Sequence, residues 1–300
     1  MKLALPLAAS LLVAAPAHAN PWWQAGPEDR VALDVPADIA LGVAGVAAIV
    51  VPELLKSTLA PKHCVNCDGL DNSGLPGDPL NGPGTLNGVD AFFHDQLTGA
   101  VFERKTADTV STVLVGAAVV GSLGGAFLST GPHGSPGAGG RAAIIVAEST
   151  ALALGVVQGT KFFVARKRPF VRFGHGTDGS SSDTGTTYDV TNDDSHLSFP
   201  SGHTAFATSA SVSLAMTATL EDSRAAPVLW AGAAVVSVGT GALRIIAEKH
   251  YFTDVATGAA IGAVCGVVLP YLHQRGGALA KSVSVSAAPG MATVAWAGAF

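Results

Sequence analysis

The chain has 300 residues, of which 13% are charged and 48% are hydrophobic, and its formal net charge is −5. The charged fraction is about half that of a typical soluble domain, so the composition excludes a disordered chain and indicates buried or lipid-facing helices. A negative net charge provides no basic surface for nucleic acid, and we expect no nucleic-acid partner.

The N-terminus has the pattern of a secretory signal peptide. Lys2 supplies a positive start, and a short apolar run then leads to a small-x-small cleavage site at Ala17–Ala19. The alternative is a first membrane helix, which the short run and the cleavage site disfavour. We therefore interpret residues 1–19 as a signal peptide and expect an exported protein of the bacterial cell envelope, either periplasmic or in the inner membrane with a periplasm-facing site.

Residues 20–107 form an N-terminal segment with a first apolar helix at 38–58 and a loop rich in Gly, Pro, Asn and Asp. The loop contains Cys64 and Cys67, which form a single CxxC pattern. Without a second pair this pattern is weak support for zinc. Because an exported chain is in an oxidising environment, we predict a short-range disulfide between these cysteines.

Residues 108–275 form the predicted helical core. Its apolar stretches, each near the ~20 residues that span a bilayer, are 109–130, 142–165, 204–220, 226–243 and 255–272. Small residues dominate these stretches, and they suit close helix packing in lipid as well as a tightly packed soluble bundle. The sequence leaves open whether the protein is integral to the membrane or soluble in the periplasm.

The C-terminal tail, residues 276–300, differs from the core. It alternates apolar and small polar residues on both sides of Pro289-Gly290, which is typical of a β-hairpin. The predicted fold is therefore an all-α bundle of about six helices with a C-terminal β-hairpin packed on it.

Polar residues that are unexpected in apolar helices fall in three places. The first place, at the end of one helix, contains Lys161 and Arg168-Pro169. The second, at the start of the next helix, contains Ser201-Gly202-His203. The third, between the last two helices, contains Arg244, His250 and Asp254. If successive helices are antiparallel, as short turns favour, all three places lie at one end of the bundle.

The residue types in these three places are suited to bind an oxyanion. Lys161, Arg168 and Arg244 are cations without a matching run of carboxylates, and the planar fork of arginine fits phosphate oxygens. Ser201 and Gly202 precede a helix, whose free N–H groups and positive dipole end attract anions. We therefore predict a phosphate-binding pocket.

Two histidines divide the chemistry that such a pocket requires. Asp254 follows His250 by four residues, so on a helix the carboxylate can orient the imidazole for attack on phosphorus. His203, beside the anion-binding turn, is the candidate general acid.

The pattern Lys161-x6-Arg168-Pro169, Pro200-Ser201-Gly202-His203 and Arg244-x5-His250-x3-Asp254 resembles the three-part signature of the type-2 phosphatidic acid phosphatase and haloperoxidase superfamily. The resemblance spans residues 161–254 and implies a helical bundle without a catalytic metal or other cofactor. It also implies a phosphohistidine on His250. Asp254 would orient that histidine and His203 would protonate the leaving group. The implied phosphate ligands are Lys161, Arg168, Ser201, Gly202 and Arg244.

The chain departs from the family pattern at one position. The third part of the signature usually begins with Ser-Arg, whereas here Leu243 precedes Arg244. We therefore expect weaker support for the Arg244 side chain.

The predicted function is metal-independent hydrolysis of a phosphoric monoester through a phosphohistidine. The substrate is a lipid phosphate or a small soluble phosphomonoester, and the sequence leaves both substrate classes and the oligomeric state open. Two alternatives are a vanadium-dependent haloperoxidase, since vanadate resembles the phosphoryl transition state, and a non-catalytic phosphate-binding envelope protein.

Several polar residues lie outside the pattern. We interpret Glu148 and Gln158 as residues that form hydrogen bonds between helices. His94 and His273 match no motif, and we expect them in loops or at the surface.

Overall fold

The computed structural model describes residues 24–26, 29–61, 86–99, 101–128, 135, 137–173, 188–189 and 192–275, and the backbone of 283–288 and 291–296. The predicted signal peptide and the predicted Cys64–Cys67 disulfide lie outside the described residues.

The described part of the chain is a helical bundle, which confirms the all-α prediction. Its helices are α1 (Val35–Leu54), α2 (Lys56–Leu59), α3 (Gly88–Leu97), α4 (Arg104–Leu128), α5 (Ala138–Val164), α6 (Pro169–Arg172), α7 (Gly202–Leu220), α8 (Ala226–Ile246) and α9 (Phe252–Leu272). The prediction of about six helices is too low, because α2 and α6 have only four residues each, too few for their hydrophobic periodicity to separate them from loops.

The C-terminal tail contains two short strands, β1 (Val283–Ala288) and β2 (Met291–Trp296), which pair antiparallel. The prediction that a hairpin packs on the bundle is not supported, since no extensive contact joins either strand to a described helix. Alternation of residue types predicts strand pairing, but it does not specify what covers the paired strands.

Helix α7 is the centre of the bundle and packs against α4, α5, α8 and α9. Its buried residues are Ala, Ser and Thr except for Val212 and Leu214, so neighbouring helices approach closely. The approach of α9 depends on glycine: a Cβ at Gly258 would lie 2.4 Å from the Ser201 carbonyl oxygen. A Cβ at Gly262 would lie 2.6 Å from the Ala205 carbonyl oxygen. The N-terminus of α7 is therefore held against the first turns of α9.

Helix α4 begins earlier than the apolar pattern indicates. Its first turn begins with the polar residues Arg104, Lys105 and Thr106, so the predicted boundary between residues 107 and 108 falls inside the helix. As a result, Asp108 and Ser111 are helical residues in the first turns of α4, beside the C-terminal half of α8.

The outer surface of the bundle is apolar while much of its interior is small and polar. Val43, Val120 and Val235 are 67%, 71% and 72% exposed, whereas Ser209 and Ser213 of α7 are fully buried. This distribution is typical of helices that face lipid. The stretches long and apolar enough to cross a membrane are Val35–Leu54, Arg104–Leu128, Ala138–Arg172, Ala226–Ile246 and Phe252–Leu272. These features indicate a membrane protein.

The predictions for residues outside the motifs are confirmed in one case and wrong in two. The Gln158 amide donates to Glu53 Oε2 of α1 at 3.3 Å, which confirms an interhelical hydrogen bond. The surface prediction is wrong for His273, which is buried, and for His94, whose ring stacks on Phe173 with centroids 3.8 Å apart. A lone histidine has no periodic signal, and the residues that cover these two, such as Phe173 for His94 and Asp38 for His273, lie far away in the sequence.

Candidate active site

One end of the bundle contains a cavity of about 560 Å³. The residues of the predicted pattern that line it are Lys161, Arg168, His203, Arg244 and His250. Ser201 and Asp254 are fully buried behind this lining, and Gly202 adjoins it, since a Cβ there would lie 3.6 Å from Lys161 Nζ. The C-termini of α5 and α8 and the N-termini of α7 and α9 thus meet around one cavity.

The contacts of His250 determine which ring nitrogen carries the proton. Nδ1 lies 2.6 Å from the Ser198 carbonyl oxygen, and Nε2 lies 3.4 Å from Arg168 Nη1. A carbonyl oxygen only accepts and a guanidinium only donates, so Nδ1 bears the hydrogen and Nε2 has the unprotonated lone pair, which accepts from Arg168. Burial, followed by the charges of Arg168 and Arg244, lowers the pKa of His250 well below its usual value, which keeps the ring neutral.

Asp254 supports His250 mainly through other groups. Its Oδ2 accepts hydrogen bonds from Ser198 Oγ at 2.5 Å and from the Tyr251 amide at 3.0 Å, while His250 Nδ1 is 3.7 Å away. We expected Asp254 to contact and orient the ring directly, whereas the structure places the Ser198 carbonyl oxygen closer to Nδ1 than the carboxylate. The carboxylate fixes the two backbone segments on either side of the imidazole, and a backbone carbonyl orients the ring.

Two of the cations around the cavity, Arg168 and Arg244, are fixed by hydrogen bonds to neighbouring groups. Arg168 donates from Nε to the Asp194 carbonyl oxygen at 2.8 Å and from Nη1 to the Lys249 carbonyl oxygen at 3.0 Å. Arg244 donates from Nη1 to the Asp108 carboxylate and to Ser111 Oγ. The expected weak support for Arg244 is not observed, because α4 supplies it. Leu243 instead packs in an apolar cluster with neighbouring residues.

His203 is in the first turn of α7, and its Nε2 lies 3.3 Å from Thr112 Oγ1 of α4. Burial, and then the positive charges of Arg244 and Lys161, lower its pKa to about 3. The imidazole is therefore neutral at physiological pH when no anion is bound. An anion in the cavity would offset those charges and raise the pKa of His203.

A family model described as the PAP2 superfamily matches residues 142–277. This stretch of the chain, residues 142–277, resembles the PAP2 superfamily. The resemblance inferred from the sequence is thereby confirmed, and this similarity supports a phosphatase-type hydrolase that acts on a phosphorylated substrate. No curated protein and no solved structure matches the chain. The matched range begins within α5, extends past α9 and contains every residue of the predicted pattern.

Arg166 is a site residue that the sequence did not indicate. In the PAP2 region it joins two carboxylates: Nη1 lies 2.5 Å from Asp254 Oδ1, and Nη2 lies 2.7 Å from Asp90 Oδ2 of α3. Its guanidinium also stacks on the Tyr251 ring, 4.0 Å from the centroid. Arg166 therefore links the N-terminal segment, through α3, to the start of α9. The one feature of the sequence that could have indicated Arg166 is its place in the basic run before Arg168. Such a run is equally typical of a helix end exposed to solvent.

Lys249 is a further cation at the PAP2 cavity, next to His250 in the chain. Its Nζ lies 3.8 Å from the Tyr188 ring centroid and 4.0 Å from Asp108 Oδ2. Burial, and then the charge of Arg168, lower the pKa of Lys249 to about 7, although Asp108 opposes this shift. Lys249 is therefore a cation whose charge titrates near neutral pH.

The rim of the PAP2 cavity includes a carboxylate. Asp194 Oδ1 lies 2.8 Å from Lys56 Nζ and 3.9 Å from Arg168 Nη2. Burial would raise the pKa of Asp194, but the charges of Arg168, Lys161 and Lys56 outweigh it and lower the pKa. Asp194 is thus ionised and lies on one side of the cationic pocket. There its negative charge repels anionic groups of the substrate.

Proposed function

We propose that the protein is a phosphoric monoester hydrolase of the cell envelope that transfers the phosphoryl group of its substrate to His250. One observation carries this proposal: the Nε2 lone pair of a neutral, fixed imidazole faces a cavity lined by Lys161, Arg168 and Arg244. A tetrahedral anion in that cavity has ligands for its oxygens and a nucleophile beside its phosphorus.

The reaction begins when the substrate phosphate enters and offsets the cationic charge, so that His203 takes up a proton. Nε2 of His250 then forms a bond to phosphorus, the bond to the leaving oxygen breaks, and His203 donates its proton to that oxygen. Water attacks the phosphohistidine while His203 accepts a proton from it, which releases phosphate and restores neutral His250. The scheme draws on no metal ion.

The position of the cavity supports an amphipathic substrate. It lies at one end of helices that are apolar enough to cross a membrane, so a lipid phosphate is able to present its headgroup while its chains stay in the bilayer. A small phosphomonoester is the other substrate class that the cavity volume accommodates. We propose that this end of the bundle faces the periplasm, in line with the predicted signal peptide.

The experiment is phosphate release by the purified full chain in detergent, on phosphatidic acid in mixed micelles and on p-nitrophenyl phosphate. We expect release by the wild type and a loss of at least about 10³-fold in His250→Asn. Arg168→Gln should lose activity as well. Arg30→Gln, which removes an exposed arginine paired with Asp222, is the matched control and should retain activity.

Other outcomes decide between the alternatives. Release that is unchanged in His250→Asn contradicts the proposed function. Vanadate-dependent oxidation of halide by peroxide, without phosphate release, favours a haloperoxidase. Binding of inorganic phosphate with neither activity favours a non-catalytic envelope protein.

A further inference from the structure

A second cluster of polar side chains lies at the end of the bundle opposite the PAP2 cavity. Asp38 is in the first turn of α1, Glu148 is in α5, and His273 follows the last turn of α9. One potential ligand atom from each residue lies within 4.8 Å of the other two. The three residues come from three helices and are far apart in sequence.

The distances within the cluster fit the coordination of a single cation. His273 Nε2 lies 3.0 Å from Asp38 Oδ1 and 3.5 Å from Glu148 Oε2. Ligand atoms of a tetrahedral zinc site with bonds of about 2.0–2.1 Å are roughly 3.3–3.4 Å apart. The cluster therefore needs only small adjustments to surround such an ion.

The imidazole of His273 is oriented as a metal ligand. Its Nδ1 lies 2.7 Å from the Leu269 carbonyl oxygen, which only accepts hydrogen bonds, so Nδ1 carries a hydrogen. Nε2 then faces the two carboxylates. A backbone carbonyl on the far ring nitrogen is the usual outer support of a metal-binding histidine.

The charge of the cluster suits a bound cation. Asp38 and Glu148 are 8% and 7% exposed, and Asp38 Oδ2 and Glu148 Oε2 have no hydrogen-bond partner among the described residues. Within the described part of the chain, no lysine or arginine forms an ion pair with either carboxylate, and His273 is the one basic group at ion-pair distance. Two buried carboxylates with unpaired oxygens are unfavourable unless a cation neutralises them.

We propose that Asp38, Glu148 and His273 bind one divalent transition-metal ion of the zinc class. An imidazole with two carboxylates is a ligand set for such ions. Both carboxylates also border a cavity of about 460 Å³ between α1 and α5, which leaves room for water as a fourth ligand. Since α1 packs mainly on α5, the ion would cross-link α1 to the rest of the bundle. This site is separate from the proposed hydrolysis and does not depend on it.

The test uses the full chain in detergent, stripped with EDTA and desalted, with Zn²⁺ as the probe. Bound zinc is counted by mass spectrometry of the metal, its affinity is measured by competition with a chromophoric chelator, and Tm is followed with and without zinc. We expect one zinc ion lost from each of Asp38→Asn, Glu148→Gln and His273→Gln relative to the wild type. The affinity of that ion should fall at least about 100-fold, and zinc should raise the Tm of the wild type but not of these three variants.

Glu221→Gln is the matched control. Glu221 is a buried carboxylate at the same end of the bundle, where it accepts the Val31 amide at 3.3 Å, and Val31 forms a β-bridge with Gln274. This variant should keep the zinc ion. Absence of zinc binding and of a Tm shift in the wild type would overturn the proposal, as would equal zinc binding by all variants, which locates the ion elsewhere.

Discussion

The imidazole of His250 is held by the backbone of Ser198, whose carbonyl oxygen lies 2.6 Å from Nδ1. Ser198 is fixed in turn, because its amide donates to the Arg166 carbonyl oxygen at 3.0 Å and its hydroxyl donates to Asp254. A backbone acceptor cannot be removed by a side-chain substitution, and it cannot change its protonation state. The reactive tautomer of His250 is therefore built into the chain path between α6 and α7.

Asp254→Asn should reduce kcat without abolishing it. In a site where a carboxylate directly binds the imidazole, an amide reverses the tautomer and costs about 10⁴-fold. Here the Ser198 carbonyl preserves the tautomer, so we expect a loss of about 10- to 100-fold, typical of an outer supporting residue. Steady-state kinetics on p-nitrophenyl phosphate measure this. A loss equal to that of His250→Asn would show that the carboxylate acts on the ring directly.

Arg166→Met should destabilise the protein as well as slow it. The substitution leaves Asp90 and Asp254 as buried carboxylates without their shared cation. We expect the free energy of unfolding to fall by about 3–5 kcal/mol. Adding Asp90→Asn should restore part of the loss, since one unpaired charge is then removed. Thermal unfolding in detergent measures both variants. A double variant no more stable than Arg166→Met would contradict the predicted bridge.

The affinity for sulfate, which is a dianion throughout the range, should fall between pH 6 and pH 8.5. The lowered pKa of Lys249, about 7, means that its charge is present below this pH and is lost as the pH rises through it. The low pKa of His203 means that this ring does not titrate in that range in the free enzyme. We expect competitive inhibition by sulfate to weaken roughly tenfold.

Lys249→Arg is the control for this pH dependence. Arginine keeps its charge at all these pH values, so inhibition of the variant should weaken less from pH 6 to pH 8.5 than inhibition of the wild type. The proton that His203 takes up with the anion accounts for the pH dependence that remains. A variant with the same pH profile as the wild type would exclude Lys249 as the titrating group.

Gly258→Ala should disturb the site indirectly, by changing how α9 packs against α7. Its new Cβ would lie 2.4 Å from the Ser201 carbonyl oxygen, a backbone atom that cannot rotate away, so α7 and α9 must separate. We expect a loss of about 1–3 kcal/mol of stability and a lower kcat, because His203 and Ser201 move with α7. Gly232→Ala is the control, since no heavy atom lies within 4 Å of its new Cβ. Equal Tm values for the two variants would contradict the close contact.

The sequence predicted those parts of the site that lie at fixed spacing within one helix end. His250 and Asp254 are four residues apart, and Ser201 to His203 are consecutive, so local geometry alone relates them. The sequence also predicted that the three polar clusters meet, because alternating helices restrict where their ends lie. That inference needed only the order of the helices along the chain.

The supporting residues could not be predicted in the same way. Asp90, Asp108 and Ser111 contact Arg166 or Arg244 across 76 to 136 residues of sequence, and no spacing relates the partners. Leu243 shows the converse error. Leucine in place of the usual serine indicated that the Arg244 side chain would be held less firmly, whereas residues of α4 hold it instead. Such exchanges are visible only when the helices are packed together.

The central claim is that phosphorus becomes bonded to His250, and rapid quenching of the enzyme with ³²P-labelled p-nitrophenyl phosphate tests it most directly. We predict an acid-labile, alkali-stable label on the wild type and none on His250→Asn. His203→Asn should accumulate more label, because nitrophenolate leaves without an acid whereas hydrolysis of the phosphohistidine needs a base. Phosphate release without any such label in either the wild type or His203→Asn, or a label that persists in His250→Asn, would contradict the account.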